Sequence, residues 1–202
     1  ELIQDSFLDI EAHIQGLLAV RLGRITNKHF TIGTGTGQPR GIAVAAALGK
    51  TGTTGQTTTV IYDDLVDLEH SINRAYRRSG KFGFMLADSS LKVVRKIKDT
   101  QGRPIFVPGY EVSVPGGAPD TLLGRPIVIN DDIAAMAASA RSILAGDFSK
   151  YVVRRVMDLT LFRMTDSAFT LLGQVGFVAF QRLGGNLIDA GGAVKYYANS
   201  AT

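Results

Sequence analysis

Side chains able to do chemistry are few in this sequence, and they are scattered. The three imidazoles, His13, His29 and His70, include no HxxxH or HExxH pair, the spacing that sets two ring nitrogens on one helix face for a metal. Cysteine is absent, which removes thiolate nucleophiles, thiolate metal sites and disulfides. No GxSxG elbow is present to expose a serine. The paired acids Asp63-Asp64 and Asp131-Asp132 stand where carboxylates accept from free helix N–H groups, so we read them as caps or loop openers, not as an acid–base pair. With no nucleophile beside a base and no cluster of ligands, we assign no catalytic, cofactor-binding or metal-ligating residue and expect no enzyme activity.

Two glycine-rich stretches raise the possibility of phosphate binding, since glycine lets backbone N–H groups close around an anion. Gly33 to Gly41 reads GTGTGQPRG, but the dinucleotide pattern GxGxxG would need glycine where Gln38 stands. Gly49-Lys50-Thr51 resembles the end of a P-loop, but the glycine required five residues earlier is Val44. The first stretch therefore reads as a crossover loop with left-handed glycines. A phosphate-binding enzyme using Gly33 to Thr51 stays as an alternative.

The elements that would carry these residues form a mixed α+β chain. Ile3, Phe7, Ile10, Ile14 and Leu17, widened by Leu18, Leu22 and Ile25, alternate spacings of four and three, which predicts an amphipathic helix to about Arg24. At 1.5 Å per residue it would run roughly 36 Å, long enough to act as a spine. His13 falls inside it and His29 in a polar loop beyond. Gly49 to Thr59 lacks apolar periodicity and reads as an exposed loop. A second helix, capped at Asp63 or Asp64, buries Leu65, Leu68, Ile72 and Tyr76, ends in Arg74, Arg77 and Arg78, and stops at Gly80.

Lys81 to Phe106 is the densest unit. Phe82 to Ala87 reads as a strand covered on both faces, and Asp88 or Ser89 caps a helix buried through Leu91, Val94 and Ile97. The run Asp99 to Gly102 turns the chain, and Pro104 extends it into Ile105-Phe106. Val107 to Thr121 reads as irregular, and Leu122 to Ile129 as a turn and a strand. Ser142 to Phe148 and Lys150 to Arg155 read as two strands about a turn at Gly146-Asp147, and Leu159, Leu161 and Phe162 continue the extended reading with imperfect alternation. Ala168 to Leu183 reads as a bent strand turned by Gly184-Gly185, and Val194 to Ala198 as a last strand closing an earlier sheet.

Composition agrees with a folded chain: 202 residues, 45% hydrophobic and 20% charged, with 22 basic against 18 acidic residues. The net charge of +4 is spread out; its densest spots, Arg74-Arg77-Arg78 and the Lys92 to Lys98 face, read as solvated helix surfaces. No apolar run approaches the ~20 residues of a membrane span, so no membrane partner is expected. The chain opens at Glu1 inside the first helix, which we read as a truncated or processed product.

In order, the spine helix, GTGTGQPRGI, the arginine-ended helix, FMLADSSLKVVRKIKD with QGRPIF, LLGRPIVIND, AGDFSKYVVR and the late apolar strand resemble the major capsid proteins of tailed bacteriophages, the Hong Kong 97-type fold. The resemblance runs from Glu1 to about Ala198. It implies a peripheral domain of residues 1–36 plus 150–189, and an axial domain of residues 37–149 plus 190–202. It also implies a structural subunit that self-assembles into hexamers and pentamers of an icosahedral shell around double-stranded DNA, in the virion, assembled in the bacterial host cytoplasm. Expected partners are copies of itself, a scaffolding segment or protein, the portal and the packaged DNA; Arg74, Arg77 and Arg78 are candidates to meet acidic neighbours or DNA. The family's N-terminal arm and extended loop, which precede the spine helix, are missing from this sequence. Its lysine–asparagine crosslink is not expected, since Leu171 to Val175 holds no asparagine. An encapsulin-type nanocompartment shell protein is the alternative with the same fold.

Overall fold

The computed structural model describes residues 10–99, 101–102, 106, 121–164, 166, 169, 171–189 and 192–202. Predicted features at Ile3 and Phe7, at Pro104-Ile105, and in the segment 107–120 lie outside the described residues.

The first helix, α1 (Ile10–Ile32), continues two turns past its expected end. Its 23 residues give a length of about 34 Å. Thr26 and Thr31, poor helix formers by propensity, return their hydroxyls to the carbonyls of Leu22 and Asn27 at 2.8 Å each and so stay within the helix. His29 is therefore not in a loop; it sits in the last turn, where an imidazole suits the dipole. The helix stops at Gly33, whose N–H still reaches the His29 carbonyl at 2.9 Å.

The Gly33 to Gly41 stretch is the predicted crossover. Gly35 and Gly37 have φ of 88° and 67°, and Thr34 bridges Arg40. A Cβ on Gly41 would collide with backbone atoms of Thr31, Ile32 and Gly33. Beyond lie α2 (Ile42–Ala45) and then β1 (Ala47–Thr51), so the first part of the expected Gly/Thr loop is a strand. Its lack of alternation fits its place at the edge of a sheet, where only one flank is paired.

The second helix is broken. α3 (Tyr62–Ser71) buries Leu65 and Leu68, and Ile72 is buried just beyond its end; Asn73 then starts a separate turn, α4 (Arg74–Arg77), accepting the Ala75 N–H at 2.9 Å. Asp63 and Asp64 lie in the first turn of α3 without capping it through their side chains. Next come β2 (Phe82–Leu86) and α5 (Asp88–Arg95), which buries Leu91 and Val94. The N–H of Asp88 is accepted from afar by Asp131 Oδ1 at 3.0 Å, not capped locally. Gly102 closes the predicted turn onto Asp99.

β3 (Thr121–Leu122) and β4 (Arg125–Ile129) are joined by Leu123 and Gly124, both at positive φ. β4 runs parallel beside β2. β5 (Arg141–Asp147) and β6 (Tyr151–Met164) flank a single 3-10 turn, Phe148–Lys150, and belong to different sheets rather than to one hairpin. β7 (Gly176–Leu187) runs straight through Gly184-Gly185, and β8 (Val194–Ala198) closes the main sheet as expected.

That sheet has the order β1-β8-β5-β2-β4-β3. Strand alternation divides its side chains between two cores. Phe84, Leu86, Ile143, Ala145 and Tyr197 face α3 and α5, while Leu144 and Val194 face α2, Ile133 and Leu187. β6 and β7 form a separate antiparallel ribbon.

One polar joint ties α1 to the sheet. Asn130, just past β4, donates to Thr31 Oγ1 at 2.8 Å and accepts from Asn27 Nδ2 at 3.0 Å, and Asn27 Nδ2 also reaches Asp132 Oδ2 at 2.5 Å. Replacing Asn130 by Ala is expected to cost about 1–3 kcal/mol, because Thr31, 2% exposed, loses that partner. Denaturant unfolding checks this, and an unchanged midpoint would show the joint to be idle.

Two phenols limit alkaline stability. Burial pushes Tyr151 up to about 12, and burial together with the charge of Asp64 pushes Tyr197 higher still. A raised folded-state value means stability that is complete below the unfolded pKa near 10 and falls as pH rises through 10 to 12. Tyr151→Phe should therefore raise the alkaline unfolding midpoint, read by circular dichroism against pH.

Candidate assembly surfaces

Among the described residues, the groups able to do chemistry do not converge. His13 is exposed on α1, His29 is half-buried in its last turn, and His70 is exposed on α3, its Nδ1 3.3 Å from Arg77 Nη1. Asp131 and Asp132 serve the helix and joint contacts already described. Among the described residues no three His, Asp or Glu side chains gather as metal ligands. No described helix is long and apolar enough to cross a membrane.

The two phosphate-like stretches are also separate. Thr34 to Arg40 line a cleft with Val44 and Leu183 to Asn186, and Lys50 is not among its walls. Lys50 instead bonds Asp67 at 2.5 Å and lies 3.8 Å from Asp64. The hydrogen bond to Asp67 raises its pKa against the opposing effect of desolvation. A lysine flanked by two carboxylates is already neutralised, and the same carboxylates repel a phosphate.

The arginines at the end of the second helix are partly spent inside the chain. Arg77 Nε donates to the Ile72 carbonyl at 3.1 Å, while Arg74 and Arg78 remain exposed. Between them Tyr76 donates its hydroxyl to Asp189, which fastens the end of the ribbon.

What the molecule does present is apolar surface without cover. The root of the ribbon is anchored: Tyr151 meets Phe30 edge-on at 6.2 Å and donates to the Arg40 carbonyl at 2.9 Å, and the Arg40 N–H donates to Gly185. Farther out, Val152 and Val153, adjacent and so on opposite faces, are both about half exposed. Val156 is 54% exposed, and the paired rings Phe162 and Phe180 are 51% and 53% exposed at 6.0 Å. Leu171 and Leu172 at the tip are barer still, and Leu17 and Val20 of α1 join them. Exposed apolar side chains concentrated on one element mark a candidate site of protein association.

This surface was not legible in the sequence. Valines at 152, 153 and 156 and the phenylalanines at 162 and 180 read equally well as core, and the one signal against that was the imperfect alternation of β6. The Asn27–Asn130 joint, spanning 103 positions, left no local signal at all.

Comparison with known proteins gives these surfaces a context. The family model described as the phage capsid family matches residues 1–198. The capsid of a native GTA particle superposes with a TM-score of 0.83 at 27% identity, over 99% of this chain and 69% of that one. A structure from Mycobacterium phage Adephagia gives 0.65 at 14% identity, over 100% and 68%. The SrpI encapsulin of Synechococcus elongatus gives 0.64 at 14%, over 97% and 69%. No curated protein matches the chain. Matched by one model through residue 198 and superposed over nearly all its length on a capsid subunit, the chain belongs to the phage capsid family and has the Hong Kong 97-type fold.

Proposed function

We propose that this protein is the major head subunit of a tailed-phage-type particle, arranged as hexamers and pentamers of an icosahedral shell that encloses double-stranded DNA. The observation that carries the reading is the exposed ribbon: Val152, Val156, Phe162 and Phe180 each stay about half exposed. Ring closure by heterologous contacts supplies the missing cover, since each copy offers one surface and receives another. The protein performs no reaction; its free energy is spent on contacts between copies. Assembly in the bacterial host cytoplasm, with a scaffolding segment or protein and a portal, completes the reading.

Within the subunit, residues 1–36 and 150–189 form a peripheral domain, and residues 37–149 with 190–202 an axial one. Two features support this division: the ribbon and the main sheet share no strand pairing, and the chain passes between them at Gly33–Gly41, at Phe148–Lys150 and near Asp189. Exposed Arg74 and Arg78 stand ready for an acidic neighbour. An encapsulin-type nanocompartment is the second reading, supported by likeness of fold, and the DNA content of purified particles separates the two.

The test is a pair of charges on the ribbon. Phe162→Asp with Phe180→Asp in the full-length gene product should leave the thermal midpoint near that of the wild-type subunit, because both rings are half exposed already. Electron micrographs should then show shells for the wild type and only unassembled subunits for the double variant. Shells from the variant at wild-type yield would contradict the proposal.

A further inference from the structure

Helix α1 has three sides, and the described residues occupy two. Leu22, Thr26, His29 and Phe30 turn toward β7. Asn27 and Thr31 turn toward the Asn130–Asp132 loop. Arg21 and Lys28 project from the remaining side, Arg24 stands at its margin with the Asn130–Asp132 loop, and all three, spaced three and four apart, are exposed.

Among the described residues, the ion pairs join Lys50, Arg125 and Arg155 to carboxylates, and none involves Arg21, Arg24 or Lys28. Arg24 borders the cleft that contains Asp131 and Asp132, but those carboxylates accept from the Asp88 N–H and from Asn27. Glu11 is the one acid among the 23 residues of the helix. The helix dipole accounts for Lys28 near the C-terminus; its influence dies within the last turn and does not reach Arg21 or Arg24.

We propose that this open side of α1 is a sequence-independent contact for the phosphodiester backbone of duplex DNA, a proposal that rests on the DNA-enclosing shell described above. Three cations span about 10 Å of helix axis, and a DNA strand presents one phosphate per ~3.4 Å of its own axis, so the stripe reaches about three successive phosphates of one strand. Backbone contact by flexible cations fixes position without reading bases, which suits a wall that meets any packaged sequence.

The test uses the purified full-length protein and a short fluorescent duplex, with binding followed by anisotropy across a sodium chloride series. Removing three phosphate contacts by R21Q/R24Q/K28Q should flatten the slope of log K against log salt by about 2.7, and R24Q alone by about 0.9. R21K/R24K should keep the wild-type slope, as should K92Q/K96Q on α5, with helix content checked by circular dichroism. Slopes and affinities equal to wild type in R24Q and the triple variant would overturn the proposal. So would a triple variant that binds the duplex normally and no longer forms shells, which would assign the stripe to an acidic neighbouring copy. Micrographs of the wild-type protein test the shell reading separately: shells formed by a protein that does not bind the duplex would end the stripe proposal alone.

Discussion

A two-stranded ribbon has two faces, and a lone ribbon of this kind is at best marginally stable in water because it buries too little. β6 and β7 are long, 14 and 12 residues, and among the described residues their cover comes from the root contacts of Phe30, Tyr151 and Gly185 and from the side of α1 that turns toward β7. Outward of the root Val156, Phe162 and Phe180 stay about half exposed. The ribbon thus makes sense as half of a contact whose other half is another molecule. In the shell proposed above, that molecule is a second copy of the chain.

The rest of the structure holds the ribbon and α1 in place. The main sheet is filled on both sides, with Phe84, Ile143 and Tyr197 fully buried against α3 and α5, and Leu144 and Val194 buried against α2 and its neighbours. Such a close-packed body resists deformation. The attachment to α1 is different in kind, being a few hydrogen bonds among Asn27, Thr31, Asn130 and Asp132. Directional polar bonds fix the angle of the helix without a large apolar interface. A rigid sheet with a polar joint therefore lets the helix and ribbon keep a set direction while exchanging solvent for neighbours.

Much of the main sheet could be read from the chain in advance. The run from Phe82 to Leu86, the buried line of Leu65, Leu68 and Ile72, and the closing strand at Val194 follow from local apolar pattern, because burial on one or both faces leaves a period in the sequence. β1 escaped notice: an edge strand reading Ala-Leu-Gly-Lys-Thr needs no alternation when one flank is open. Gly184-Gly185 was misread as a turn because glycine marks close approach as well as chain reversal, and here a Cβ on Gly185 would collide with Tyr151 and Phe30. The assembly surface was hidden for a more general reason. Residues that become buried only between copies carry the same types as residues buried within one, so Phe162 and Phe180 became distinguishable only when their exposure was visible.

The most direct measurement is amide hydrogen exchange along the ribbon in free subunits and in assembled particles. If neighbouring copies supply the cover, the amides of the outer ribbon, from Val156 to Met164 and from Gly176 to Phe180, exchange quickly in the free subunit and become strongly protected on assembly, while those of β2, β5 and β8 are protected in both. Equal protection of the outer ribbon in the two states would mean that the chain stabilises the ribbon by itself, and would contradict the account.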